Sequence, residues 1–295
     1  MHPTKYRPFS ADPPAGFPCC TPGPYSRGTT FWAGRAIERR RAGAIEILLA
    51  ITPPPGFVGE EDPLDEEIRH TPRLVAAPKP GGIRWLAEID RFDLSRYKRA
   101  TVAVARRIDR QLMRGVLADR LDRSFDRTDP VTGSWCRPWR AARHRLRAEV
   151  AERAPRSIIL RADVRDCFAS IAPGTVERTL LSMGCHPAEV GAVVRVLDHF
   201  NCQGIRGLPI GPEASAVLAA AVLSHADAAL VSLGAVHLRW VDDFIVFTHS
   251  ENEARVILEV LTDALGDLAL EPAAHKTSVS ESACGRSLSG GSGPG

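Results

Sequence analysis

The stretch Leu238-Arg239-Trp240-Val241-Asp242-Asp243-Phe244-Ile245-Val246-Phe247 constrains this chain most, because it sets two carboxylates at an apex between two apolar runs. Val236, Leu238 and Trp240 alternate on the way in, and Phe244 and Val246 on the way out, the period of two strands joined by a tight turn. Aspartate tolerates turns, so by itself the stretch is satisfied by an ordinary hairpin. A third carboxylate upstream gives it more weight. Ser157-Ile158-Ile159-Leu160-Arg161-Ala162-Asp163 is a short apolar run ending on an acid and reads as a buried strand. If that strand lies beside the hairpin, Asp163 and Asp242 converge at one edge of a sheet, with Asp243 adjacent. Three carboxylates that close repel one another unless a divalent cation neutralises them. Hard oxygen ligands suit Mg²⁺, and two such ions roughly 4 Å apart serve in-line displacement at phosphorus.

The remaining sequence bears on where such chemistry could sit. A chain of 295 residues, 44% hydrophobic, can bury a core and hold one large or two small domains. Its net charge of +3 hides an uneven distribution. Between Arg96 and Arg147 fifteen Lys/Arg face five Asp and no Glu, an excess of about ten cations that fits either a phosphate-binding surface or a solvated helix face. Seven cysteines without CxxC spacing argue against a disulfide framework or a zinc module and for a reducing compartment, by default the cytoplasm. No signal peptide is read at the N-terminus. The apolar run from Ala214 to Val236 is broken by His225 and Asp227, so it is expected to be a core helix and not a membrane span.

In chain order, residues 1–34 are a Pro/Gly-rich arm expected to be irregular, followed by a helix over 35–51 and an acidic loop over 58–72. A hairpin is expected at Leu74–Leu86, with Pro-Gly-Gly at its tip flanked by Lys79 and Arg84. The spacing predicts a helix over Tyr97–Leu121, a basic helix over 139–151, helices after Pro173 and Pro187, and a buried Ala-rich helix over Glu213–Val231 opened by Pro212. An amphipathic helix over Glu251–Leu265 and a Ser/Gly tail over 281–295 close the chain.

Four motifs in this order resemble those of reverse transcriptases. Asp163-Val164-Arg165-Asp166-Cys167-Phe168 looks like motif A, Gly207-Leu208-Pro209-Ile210-Gly211-Pro212-Glu213-Ala214-Ser215 like motif B, Trp240-Val241-Asp242-Asp243 like motif C, and His275-Lys276-Thr277 like the end of motif D. Lys79-Pro80-Gly81-Gly82-Ile83-Arg84 resembles the fingers segment laid over an incoming nucleotide. The resemblance implies an α+β right-hand polymerase, with basic, mostly helical fingers over 35–156 and an antiparallel palm over 157–280. By the same resemblance Asp163 and Asp242 hold a Mg²⁺ pair, with Mn²⁺ an alternative, and Asp243 supports them. Lys276 is a proton donor or charge partner for pyrophosphate. Lys79, Arg84 and Asp166 lie near the triphosphate, and Phe168 is a steric gate against a 2′-hydroxyl. Gly211 and Ser215 line the nucleotide site, although Ser215 and Asp166 also suit helix caps. The implied partners are an RNA template, a DNA or RNA primer and deoxynucleoside triphosphates.

The chain also departs from the pattern. Ile210 stands where retroviral enzymes have Gln, Ala216 where many relatives have Pro, and Trp240 where Tyr is usual. These departures look more like the bacterial reverse transcriptases of the unknown and abortive-infection type, many of them antiphage defence proteins. Only nineteen residues follow Lys276, most of them Ser and Gly, so a helical thumb is not expected: either a partner protein or RNA supplies that grip, or the primer is held unusually, or the product is truncated. The competing readings are a nucleotidyltransferase that makes RNA or works without a template, and a non-catalytic nucleic-acid-binding palm subunit.

Overall fold

The computed structural model describes residues 71–281 apart from 80, 81, 130 and 155–157. The expected N-terminal arm, the helix over 35–51, most of the acidic loop, the Pro-Gly tip of the first hairpin and the tail beyond 281 lie outside the described residues. The described elements are β1 (Arg73–Lys79), β2 (Gly82–Glu88), α1 (Arg91–Gln111), α2 (Trp139–Arg153), β3 (Ile158–Asp163), α3 (Cys167–Ser170), α4 (Pro173–Ser182), α5 (Pro187–Cys202), α6 (Glu213–Ser232), β4 (Val236–Trp240), β5 (Asp243–Thr248), α7 (Glu251–Gly266) and β6 (Ser278–Glu281).

β1 and β2 form a two-stranded hairpin, and the other four strands form one antiparallel sheet in the order β4-β5-β3-β6. Burial follows from the register. Leu160 and Ala162 of β3 stand opposite Val246 and Phe244 of β5, and all four join the main core under α6 and α7. On the other face Ile159, Ile245, Phe247 and Leu238 make a smaller cluster covered by Leu146 and Val150 of α2. Phe244 and Val246 thus share a face with His237 and Arg239, while Leu238 and Trp240 lie on the opposite face with Asp243. Both faces of the hairpin are covered, which is why polar His237 and Arg239 are buried along with Leu238.

α6 is apolar on nearly every face because it is surrounded, packing on α1, α4 and α7. Among the described residues it is the helix long and apolar enough to cross a membrane, and 67% of that window is buried inside the protein, as expected of a core helix. Local signals set the other boundaries. The Asp90 side chain accepts from the Phe92 N–H at the start of α1, Pro187 opens α5, and Ser250 accepts from Glu253 N–H at the start of α7.

One expected element ends early. The apolar period predicts α1 through Leu121, but it stops at Gln111 and the chain runs along the outer edge of β4. There the Arg239 N–H donates to the Gly115 carbonyl (2.8 Å) and the Leu117 N–H to the Arg239 carbonyl (3.0 Å). A Cβ on Gly115 would stand 2.4 Å from the His237 carbonyl oxygen, so the close approach requires glycine. Val116 and Leu117 still bury their side chains, which is why the helical period continued past the real end.

The loop before α6 is fixed similarly. Gly207 has φ +67°, and the Leu208 N–H donates to the Phe168 carbonyl at 2.8 Å. A Cβ on Gly207 would lie 2.4 Å from that carbonyl oxygen. Gly207→Ala is expected to cost about 2 kcal/mol or more, through both the left-handed backbone and the clash, measured as a shift in the urea unfolding midpoint.

Candidate active site

The antiparallel register of β3 and β5 puts Asp163 directly opposite Asp243, and the turn between β4 and β5 holds Asp242 beside them. One carboxylate oxygen from each of the three lies within 4.8 Å of the other two. The turn's shape matters here. Val241 has φ +57°, a left-handed conformation that is an outlier for a β-branched residue, and the Val164 N–H donates to the Asp242 carbonyl at 3.2 Å. The β3–β5 ladder therefore continues one step past the strand ends and ties motif A to the turn.

The other side of Asp163 is closed by the segment expected to end motif D. The Ala273 N–H donates to the Asp163 carbonyl (2.7 Å), and a 3₁₀ turn over Ala274–Lys276 brings the Lys276 ammonium to 2.6 Å from Asp163 Oδ2. Lys276 is half exposed while Asp163 is buried, so the pair spans the boundary between core and solvent. That hydrogen bond raises the Lys276 pKa and keeps it protonated at neutral pH.

The carboxylates respond to their crowding. Burial pushes Asp242 above the usual carboxylate range and the neighbouring Asp163 adds to it, while Lys276 and Arg84 oppose the shift. Asp243 is the outermost of the three, yet lost hydration, then Asp242 and Asp163, push it up to about 6. An acid raised by like charges sits in a negative field, and a divalent cation relieves that field directly. The donor set fits such an ion, since all three donors are carboxylate oxygens, close together at a sheet edge that runs from buried Asp163 to exposed Asp243. Asp163, Asp242 and Asp243 could hold Mg²⁺ or Mn²⁺.

The other expected residues distribute around this centre. Arg84 on β2 is exposed and close enough to act on the Asp242 charge, and the Ala87 N–H donates to the Ile210 carbonyl (3.0 Å), linking the β1–β2 hairpin to the motif B loop. Lys79 ends β1 opposite Gly82. Asp166 is exposed with φ +44° and makes no side-chain cap to α3. Phe168 is half-buried against the main core, its carbonyl holding the Gly207 loop. Gly211 has φ +134°, where a side chain would be strained. Ser215 stands differently: it is fully buried, its hydroxyl 2.9 Å from the Tyr97 hydroxyl, and so pins α6 to α1 instead of facing the cleft.

The basic segment divides too. Arg120 pairs with Asp109, Arg106 with Asp126, and Lys98 donates to the Val131 carbonyl, so part of its charge serves internal packing. α2 buries none of its residues fully and carries Arg140, Arg143, Arg145 and Arg147. Two charged residues beside the centre carry no assignment in the sequence. Asp119, with φ +56°, has a carboxyl pushed up to about 6 by burial, with Arg239 opposing and Glu213 and Asp242 adding. Arg239 has no role assigned in the sequence, although a charged side chain between the apolar Leu238 and Trp240 is a mark of a buried ion pair.

The family profile described as reverse transcriptase (RNA-dependent DNA polymerase) matches residues 95–286. No curated protein matches the chain by sequence. Among solved structures, apo telomerase from Candida tropicalis truncated from its C-terminal domain aligns at 11% identity with a TM-score of 0.44, covering 70% of this chain and 49% of that one. Telomerase from Candida albicans, in complex with a fragment of telomeric RNA, aligns at 12% identity with a TM-score of 0.45, covering 72% and 43%. The chain spans about half the length of these proteins.

Asp243 holds its proton more tightly folded than unfolded, so without divalent ions it takes stability away as pH rises from the ordinary aspartate range through about 6. In EDTA, Asp243→Asn should raise the melting temperature near pH 7.5 and leave it almost unchanged near pH 4. Millimolar Mg²⁺ should raise the melting temperature of the wild type more than that of this variant.

Proposed function

The chain belongs to the reverse transcriptase family, and from that premise we propose that it is a nucleotidyltransferase that extends a primer 3′-hydroxyl with deoxynucleotides on an RNA template. The observation that carries this reading is the convergence of Asp163, Asp242 and Asp243 beside the protonated Lys276, at the edge of an antiparallel sheet. In the reaction the primer 3′-oxygen bonds to the α-phosphorus, the bond to the bridging oxygen of pyrophosphate breaks, and the 3′-hydroxyl loses its proton. A pair of divalent ions, when bound, would activate the attacking hydroxyl and stabilise the leaving oxygen.

The protein's own groups would do the rest. Asp163 and Asp242 are the principal ligands and Asp243 the supporting one, which agrees with its being the most exposed of the three. Lys276 keeps a proton at Nζ near neutral pH and is a suitable donor or charge partner for pyrophosphate. Arg84, whose charge reaches Asp242, and Lys79 would meet the triphosphate. Phe168 would press its ring on the sugar and exclude a 2′-hydroxyl. The arginines of α2 would contact template and primer phosphates and make binding salt-dependent.

The finer reading is a bacterial enzyme of the unknown or abortive-infection type, acting in antiphage defence in the cytoplasm with a partner protein or RNA helping to hold the primer. Its support is the sequence departures at Ile210, Ala216 and Trp240. Primer extension on an RNA template should require Mg²⁺ or Mn²⁺ and fall at least about a thousandfold in Asp163→Ala and in Asp242→Ala. Equal incorporation by those variants would remove the metal assignment. Phe168→Ala should raise the use of ribonucleotides relative to deoxynucleotides, read from competing extensions; an unchanged ratio would remove the gate.

A further inference from the structure

The sheet face opposite the carboxylates contains a buried charge network that the proposed chemistry does not use. Arg239 is 1% exposed and Asp227 is fully buried. Arg239 Nε lies 3.0 Å from both Asp227 oxygens, and Nη2 lies 2.7 Å from Asp227 Oδ2 and 3.2 Å from the Ala220 carbonyl. His237 Nε2 is 3.0 Å from Asp227 Oδ1. Burial works against the Asp227 charge, but Arg239 and His237 hold its carboxyl below the usual range. The remaining nitrogen leaves the network: Arg239 Nη1 donates to the Val241 carbonyl at 2.8 Å.

Stability alone is a weak reason for such a group. A buried ion pair is often no more stabilising than apolar residues of the same volume, because desolvation offsets the attraction. An apolar residue could fill this space but could not donate to the Val241 carbonyl. That carbonyl belongs to the left-handed residue just before Asp242. The backbone of Arg239 is itself fixed on the outer side by Gly115 and Leu117, so its side chain pulls from a stationary base.

We propose that Arg239 is a positioning residue for the carboxylate turn: anchored by Asp227 of α6, its guanidinium holds the Val241 carbonyl and so fixes the left-handed backbone that presents Asp242. This rests on reading Asp163, Asp242 and Asp243 as a divalent-ion centre. It makes the core helix α6 part of the site's geometry, although α6 offers no ligand. A carbonyl held from behind acts on ion binding as an outer-shell partner does, where loss of one contact commonly weakens binding about tenfold or more.

The test is a double-mutant cycle on the full chain, read by Mn²⁺ binding in solution without nucleic acid, so that it does not depend on turnover. Arg239→Lys keeps a cation beside Asp227 but shortens the reach to Val241. It should weaken Mn²⁺ binding about tenfold, and the loss should shrink to about threefold or less in the Val241→Gly background, where the left-handed turn needs no holding. An equal loss in both backgrounds would overturn the proposal, as would unchanged Mn²⁺ binding with a lowered melting temperature. Should Arg239→Lys not fold, Asp227→Asn is read in the same cycle with the same criteria. If the wild type binds no Mn²⁺, the ion reading falls separately. Hydrogen exchange of the 241–243 amides then decides the clamp: faster exchange in the variant supports it, and unchanged exchange overturns it.

Discussion

Mutual repulsion among three carboxylates within 4.8 Å of one another is the constraint around which the described fold is arranged. Left to itself, a surface hairpin with two adjacent aspartates would relax its turn and move the charges apart. Here the charges cannot move, because Asp163 is locked to Asp243 by strand register and the Asp242 carbonyl is bonded to Val164. The cations offset the field from two directions. Lys276 arrives on the segment that flanks β3, and Arg84 on a separate hairpin tied to the motif B loop through Ala87 and Ile210. Burial first, and then the neighbouring carboxylates, leave the Asp242 and Asp243 carboxyls raised even with these cations in place.

Rigidity of that order has to come from packing. β3 and β5 are held on one face by the main core under α6 and α7, and on the other by the smaller cluster under α2. The acids stand where the second face runs out to solvent, grading from buried Asp163 through half-buried Asp242 to exposed Asp243, while their backbones are held by the core. This separates two jobs often assigned to the same residues. Ser215 illustrates the division: sequence position suggested a nucleotide contact, but its hydroxyl is spent on Tyr97, joining the helix behind the sheet to α1.

Five of the strands and the longer helices are legible in the sequence because they follow from periodicity and proline placement, both local signals, whereas β6 and the short α3 are not, and the approach of Asp163 to the Asp242–Asp243 turn follows only once β3 is taken to lie beside the hairpin. What could not be read depended on distant partners. Nothing near residue 115 announces that β4 will lie beside it, so the helical spacing of Val116 and Leu117 was extrapolated through a real break. Arg239 has no role assigned in the sequence because its partner, Asp227, sits on the preceding helix and only the fold reveals that both are buried. Lys276 was placed by motif order, and its contact with Asp163 depends on how residues 271–276 return along β3.

Backbone strain points to the same place as the charges. Among the described residues four that are not glycine have positive φ: Asp119, Asp166, Val241 and Ala269. Val241 precedes a carboxylate of the centre, Asp166 follows another by three residues, and the Asp119 carboxyl is close enough to respond to Asp242. Ala269 and Asp166 both line a cavity of about 380 Å³ with Arg165, Arg206 and Glu271. Such conformations persist only where surrounding structure over-determines them. For Val241 that determination is visible atom by atom, in the Arg239 donor and the β3–β5 ladder on either side of the turn. A substitution in α6 that leaves every carboxylate in place can therefore still change the site, because the anchor of the turn lies one layer deeper than its ligands.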